Sequence, residues 1–290
     1  MAADESTQLR IDKLVASVSH VATLPAIARK IIPLVENTRS SARDLYELIT
    51  HDPALVARIL SIANSHFYGL PRSINSIHQA ITFLGLYSVK NIALMASLPK
   101  PCRGNKIIAN LCENDLWTHS VAVGIMSRLI VDRLDHTRKD EAFLTGLLHD
   151  IGLLVELQAL PGPLGEIMEK AAEMRAGRYI QIEREILGGM DHEALGAALM
   201  SKWKFPRSFQ HVTGYHHEPL KLAADRRGMT CVVHVADHIC CARGLGYSLT
   251  CRSEELDVAV LRVLGLTREI VERWADDLLK ALQEAQALLA

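Results

Sequence analysis

Ala142-Phe143-Leu144-Thr145-Gly146-Leu147-Leu148-His149-Asp150-Ile151-Gly152-Leu153-Leu154-Val155 sets the reading of this chain, because an apolar helical run carries an adjacent imidazole and carboxylate. A carboxylate buried among leucines must be paired, hydrogen-bonded or coordinated to a cation. Neutral imidazole beside carboxylate oxygen is a common donor set for divalent first-row metals. The dipeptide alone also fits a hydrogen-bonded pair that merely fastens two helices. Working outward from it, the question is whether further donors stand on other helices.

Helical periodicity dominates on both sides of this run, and no series of alternating strands bounded by hairpin turns is found, so the chain reads as all-α. Upstream, an amphipathic helix is expected from about Ser6 to His20, and Leu24-Pro25 begins a second. Ser41 with Asp44 has the pattern of an N-cap and its acidic partner, and Asp52-Pro53 opens the next helix. Pro99, Pro101 and Gly104 punctuate the chain after a helix ending near Leu98, which places a boundary between two helical subdomains there. Downstream, Asp115 and His119 stand one turn apart on a long helix, a spacing that suits one metal or a linked pair. After the break at Pro161-Gly162-Pro163, Asp191 can cap a helix whose first turn holds His192. His216 and His217 end a helix stopped by Pro219, and Asp237 follows Val232, Val233, Val235 and Ala236, so its carboxylate is expected to face inward. The remaining chain should form a helix near Ser253 to Leu264 and a long one from Thr267 to Ala290.

Composition narrows the class. The 290 residues are 49% hydrophobic and 22% charged with a net charge of −1, a globular balance that gives no reason to expect a nucleic-acid partner. The acidic N-terminus lacks the pattern of a secretory signal, and charged residues or prolines interrupt the longest apolar runs, so no membrane span and a cytoplasmic location are expected. Six cysteines, Cys102, Cys112, Cys231, Cys240, Cys241 and Cys251, lack Cys-x-x-Cys spacing and read as reduced, mostly buried thiols. His51, His66 and His78 read as surface or capping residues.

One ordered series of residues resembles a known family. Asp52-Pro53-Ala54-Leu55, Arg58-Ile59-Leu60, Ala63-Asn64-Ser65, Tyr68-Gly69, Ile74, Ser76, Ala80-Ile81 and Leu84-Gly85 closely match the HDOD family, the HD-related output domain of bacterial signalling proteins. The resemblance extends from about Leu24 to Asp237. Together with the helix periodicity and the break after Leu98, the expected division is an N-terminal helix at 1–23, a helical subdomain at 24–98, a connecting segment at 99–113, an HD-like helical bundle at 114–245 and a C-terminal helical extension at 246–290. By likeness to the HD hydrolase superfamily, and its HD-GYP cyclic-dinucleotide phosphodiesterase branch, His119, His149, Asp150 and Asp237 would form a primary metal site. Asp150 would bridge to a second centre at His192, His216 and His217, with Asp115 the outlying member where that branch tends to have Glu.

Such donors suit a mono- or binuclear centre of iron, manganese or zinc, and magnesium less. Two features of the hydrolytic relatives are missing. Leu153 stands where they carry lysine in His-Asp-x-Gly-Lys, and Pro219-Leu220-Lys221 replaces their Asp-Gly-x-Gly-Tyr-Pro loop. The expectation is therefore a signal-transduction output or adaptor module that acts through protein-protein interaction with signalling partners, with a metal or nucleotide bound in a degenerate HD site. Without a receiver, kinase or cyclase pattern in these residues, it would be a free-standing adaptor or an excised output domain. The alternative is a metal-dependent phosphohydrolase acting on a nucleotide or other phosphoester, in which Asp150 would be catalytic.

Overall fold

The structure, a computed structural model, describes residues 5–18, 25–37, 39–98, 113–173, 178–251 and 255–284. The expected helix end at His20, most of the connecting segment with Cys102 and Cys112, and the last turn of the helix expected to reach Ala290 lie outside these residues. All regular structure among the described residues is helical, with no strand. The chain divides into two compact units, one of Leu24–Lys100 with Asp277–Ala290 and one of Met1–Thr23 with Pro101–Asp276. Helix α1 (Glu5–Ser17) belongs to the latter, where Ile11 and Val15 are buried.

The smaller unit contains α2 (Ala26–Glu36), α3 (Ala42–Ile49), α4 (Pro53–Ala63), α5 (Ile77–Leu84) and α6 (Leu86–Ser97). Local chemistry explains these boundaries. Ser41 caps α3 through the Asp44 main-chain N–H while the Asp44 carboxylate accepts from the Ser41 N–H. Asp52 accepts from Leu55 N–H at 3.0 Å, and Pro53 occupies a first-turn position where no donor is lost. Asn64 clamps the following loop by donating to the Ile74 carbonyl at 2.8 Å and accepting from its N–H at 2.7 Å. Gly85, at φ +83°, makes the corner between α5 and α6. Helix α6 packs against α2, α4 and α5 and buries Val89, Ile92 and Leu94 completely.

The larger unit continues with α7 (Glu113–Leu134), α8 (Lys139–Leu148), α9 (Ile151–Ala159), α10 (Pro161–Glu173), α11 (Tyr179–Ile186), α12 (His192–Lys202), α13 (Arg207–Tyr215), α14 (Gly228–Ala242) and α15 (Val258–Val263), and α16 (Arg268–Glu284) belongs to it as far as Asp276. Helices α7 and α8 approach closely at glycines: a Cβ on Gly146 would lie 2.9 Å from the Gly124 Cα. The run expected to place His149 and Asp150 within one apolar helix is instead two helices. The dipeptide forms the turn between them, with Asp150 at φ −95°, ψ 20°. This break redirects α9 onto α12, where Gly152 lies so close to the His192 carbonyl oxygen that a Cβ would sit 1.9 Å from it. Lys139–Ala159 is apolar and long enough to cross a membrane, yet 78% of its apolar window is buried within the fold.

Gly152 therefore sets the distance between the turn and α12. Gly152→Ala should destabilise the protein by about 3 kcal/mol or more, because backbone must move to admit a methyl group. Gly228→Ala, at an exposed helix start with nothing within 4 Å of its Cβ, should be neutral or stabilising by up to about 1 kcal/mol. Urea unfolding of both variants measures the contrast.

Candidate metal centre

Five parts of the larger unit contribute to one interior cluster. His119 comes from α7, His149 and Asp150 from the α8–α9 turn, His192 from the first turn of α12, His216 and His217 from the end of α13, and Asp237 from α14. All are buried. Asp191 fixes the start of α12 by accepting from Ala194 N–H at 2.7 Å, the capping role its position implied.

Asp150 divides this cluster. Its Oδ2 lies 3.2 Å from His149 Nε2 and 3.9 Å from His119 Nε2. His119 Nε2 is in turn 3.0 Å from Asp237 Oδ1, completing a first group of donors. The other oxygen, Oδ1, lies 3.3 Å from His216 Nε2 and 3.5 Å from His192 Nε2. His217 Nε2 joins that second group at 3.1 Å from His192 Nε2. His119, His149 and Asp237 each offer a donor atom within 4.8 Å of the others, and so do Asp150, His192, His216 and His217.

The far side of each ring fixes its proton. A carbonyl oxygen can only accept, so His119 Nδ1 facing Leu245 O at 3.2 Å, His149 Nδ1 facing Gly146 O at 2.7 Å and His216 Nδ1 facing Val212 O at 3.2 Å each carry hydrogen. His192 Nδ1 is held by the buried Glu183 carboxylate at 2.6 Å. The neutral form of each ring thus turns its Nε2 lone pair into the cluster, as an outer acceptor does for a metal-ligating histidine. Lone pairs facing carboxylate oxygens and one another repel unless a cation stands between them. Consistently, His149 Nε2 and both Asp150 oxygens have no hydrogen-bond partner of acceptable geometry. On this ground the residues fit a pair of divalent ions.

The electrostatics agree. Burial would raise the Asp150 carboxyl, but His149 and the surrounding imidazoles hold it well below its usual range. Burial would likewise raise Asp237, but the facing imidazoles, His119 first and then His149, hold it well below its usual range. Burial opposes charge on His149 and His192, yet Asp150 raises the first and Glu183 raises the second well above the usual imidazole value. Burial lowers His216, and lowers His217 further with the help of His216 and His192. Two carboxylates therefore demand positive charge here, and protons and metal compete to supply it.

Asp115, the outlying candidate, lies at the start of α7, where its carbonyl oxygen accepts from Tyr247 N–H at 3.1 Å; it is not among the grouped donor residues. His51 and His78 are exposed, and the His66 side chain lies outside the described residues.

The structure also adds residues that spacing did not single out. Glu183 orients His192, and Glu193 accepts from His217 N–H at 2.8 Å, burial pushing its carboxyl up to about 8. Behind Glu183 sits Glu156, whose carboxyl is raised well above its usual value by burial and then by the Glu183 charge. Cys251 donates to Asp237 Oδ2 at 2.9 Å. Glu193 adjoins His192 in sequence, but no local pattern marks the others.

Comparison with known proteins gives the class. The sequence profile of the HDOD domain matches residues 21–219, and the chain belongs to the HDOD family. A curated relative from Treponema pallidum (strain Nichols), itself uncharacterized, is 24% identical over 219 residues, or 72% of this chain. The chain spans 41% of that relative's length. An HDOD domain protein of unknown function from Geobacter sulfurreducens superposes with a TM-score of 0.78 at 22% identity, covering 98% of both chains. A protein from Shewanella amazonensis SB2B, provisionally named a phosphohydrolase, superposes with a TM-score of 0.71 at 23% identity, covering 95% of this chain and 96% of its own. A protein from Marinobacter aquaeolei VT8, provisionally named a signal transduction protein, gives 0.76 at 23% identity, covering 98% of this chain and 64% of its own. These structural likenesses establish a shared fold.

An outer ion network ties α11 to the end of α13. Glu218 accepts from Arg178 at 3.0 Å, Arg184 bonds both Glu218 and Asp191, and Arg178 also donates to the His217 carbonyl at 2.6 Å. Burial would raise the Glu218 carboxyl, but Lys221 and Arg178 bring it below its usual range. A carboxyl lowered in the folded state contributes stability above its unfolded value and loses it as pH falls through the folded value. Glu218→Gln should therefore destabilise chelator-treated protein by about 1 kcal/mol at pH 7, allowing for solvent screening. The difference from wild type should shrink towards zero in urea titrations carried progressively below the ordinary glutamate value of 4.5.

Proposed function

We propose that this chain is a bacterial, cytoplasmic HDOD output module whose larger unit holds a dinuclear divalent metal centre and which acts by binding signalling proteins. The single observation that carries the metal reading is Asp150, whose two oxygens face separate histidine groups. His119, His149 and Asp237 would hold one ion, His192, His216 and His217 the other, with Asp150 shared. Imidazole and carboxylate donors favour iron, manganese or zinc over magnesium.

The same bridging geometry supports a second reading, hydrolysis of a nucleotide or other phosphoester. A pair of such ions, when bound, polarises a phosphoryl oxygen and activates water. Two features weigh towards the output-module reading. The donors are closed off from solvent, whereas a catalytic metal keeps an open coordination position. Leu153, where a phosphate-binding lysine would be useful, is fully buried.

Protein purified without chelator and reloaded with Mn²⁺ should hold about two ions per chain, and Asp150→Ala, with its helical circular dichroism retained, should lose most of both. Elemental analysis after gel filtration reads this directly; wild type that retains no ion sinks the metal reading. In the same preparations a phosphodiesterase and phosphomonoesterase screen should show no turnover that depends on Asp150. Turnover abolished by Asp150→Ala would establish the hydrolase reading instead. Glu183→Gln should keep the fold but weaken metal affinity about 10-fold by loosening His192, as read by competition with a chromophoric chelator.

A further inference from the structure

Two side chains of the centre turn a second donor atom away from the paired positions, and both face the same thiol. Asp237 directs Oδ1 towards His119, while its Oδ2 lies 2.9 Å from Cys251 Sγ. His217 directs Nε2 towards His192, while its Nδ1 lies 3.7 Å from Cys251 Sγ. The Nδ1 atoms of His119, His149, His192 and His216 are committed to carbonyl or carboxylate acceptors, but His217 Nδ1 faces sulfur. One donor atom each from His217, Asp237 and Cys251 lies within 4.8 Å of the other two, and all three residues are buried.

The loop that delivers Cys251 is tightly built. Gly246, at φ +71°, lets the chain pass so close to α7 that a Cβ there would lie 2.4 Å from the Asp115 carbonyl oxygen. Tyr247 N–H then bonds that carbonyl. A thiol is a weak donor, poorly suited to satisfying a buried carboxylate, whereas a thiolate is a strong ligand for zinc-like ions. Cys241 is placed differently, with Sγ 3.4 Å from Asp237 Oδ1 and 3.8 Å from Thr250 Oγ1.

We infer that Cys251 Sγ, Asp237 Oδ2 and His217 Nδ1 form a third, sulfur-containing cation position that takes a thiophilic divalent ion such as Zn²⁺. This deepens the dinuclear reading and rests on it to the extent that Asp237 and His217 are shared. A neutral imidazole has one lone pair. With its proton on Nδ1, His217 serves the second position. With its proton on Nε2 it serves the third, and Asp150, His192 and His216 are left to hold the second. Binding at the third position breaks the Cys251 S–H bond and forms an Sγ–metal bond, and the proton passes to solvent buffer.

Co²⁺ and Mn²⁺ titrations of the chelator-treated full chain separate the positions. Wild type should show a sulfur-to-cobalt charge-transfer band in the near ultraviolet and take up one more Co²⁺ than Mn²⁺. Cys251→Ser, whose hydroxyl can still donate to Asp237, should lose the band and the extra ion while keeping the rest. Cys241→Ser and Asp150→Ala should keep the band. X-ray absorption of zinc-loaded wild type, which depends on no variant folding, should show a sulfur scatterer about 2.3 Å from zinc. Two bound ions with neither band nor sulfur scatterer would overturn the third position and leave the pair standing. A band that persists in Cys251→Ser would also overturn it. A band in wild type with no further ion in Cys251→Ser would uphold the third position and remove the pair.

Discussion

Two carboxylates inside an apolar helical bundle are the constraint on which this larger unit depends. Asp150 and Asp237 are buried at the α8–α9 turn and on α14, where an unpaired charge would cost several kcal/mol. The fold answers by surrounding them with imidazoles from α7, α12 and α13. Each helix must then stay in register, since its histidine counters charge at the centre. Gly124, Gly146 and Gly152 permit the close helix approaches that this convergence requires.

Around the centre lies a shell that decides which atom of each ring faces inward. Main-chain carbonyls of Leu245, Gly146 and Val212 hold the protons of His119, His149 and His216, so the geometry of a loop and two helix ends selects their tautomers. His192 differs in being held by a carboxylate, which makes it more basic and couples it to Glu156 through Glu183. Farther out, Arg178, Arg184 and Glu218 fasten the chain around His217. Stability and site geometry are therefore joined: residues that order the tautomers also lock the helices together.

Membership of the HDOD family accounts for the fold and leaves function to the site. A complete donor set is chemically suited to metal, while its enclosure suits a bound ion more than a passing substrate. The two observations meet in the proposal of an output module whose buried ions hold the interior together. On that reading the apolar surroundings of Asp150 strengthen electrostatic attraction to a cation and keep water from competing for it.

Local chemistry made much of this legible from sequence. Period-3.6 apolar spacing gave an all-helical class, and Ser41, Asp52 and Asp191 marked helix starts because their side chains satisfy donors within one turn. The family pattern brought His119, His149, Asp150, His192, His216, His217 and Asp237 together as candidates before any distance was available. Tertiary structure decided what spacing cannot encode. It broke the apolar run at His149-Asp150, divided the Asp150 oxygens between two groups, and brought Glu183 and Cys251 to the same interior. The reason is physical: a cap or a helical face is settled by bonds within a turn, whereas a ligand set depends on how distant helices approach and on which side of each ring the surrounding chain holds the proton.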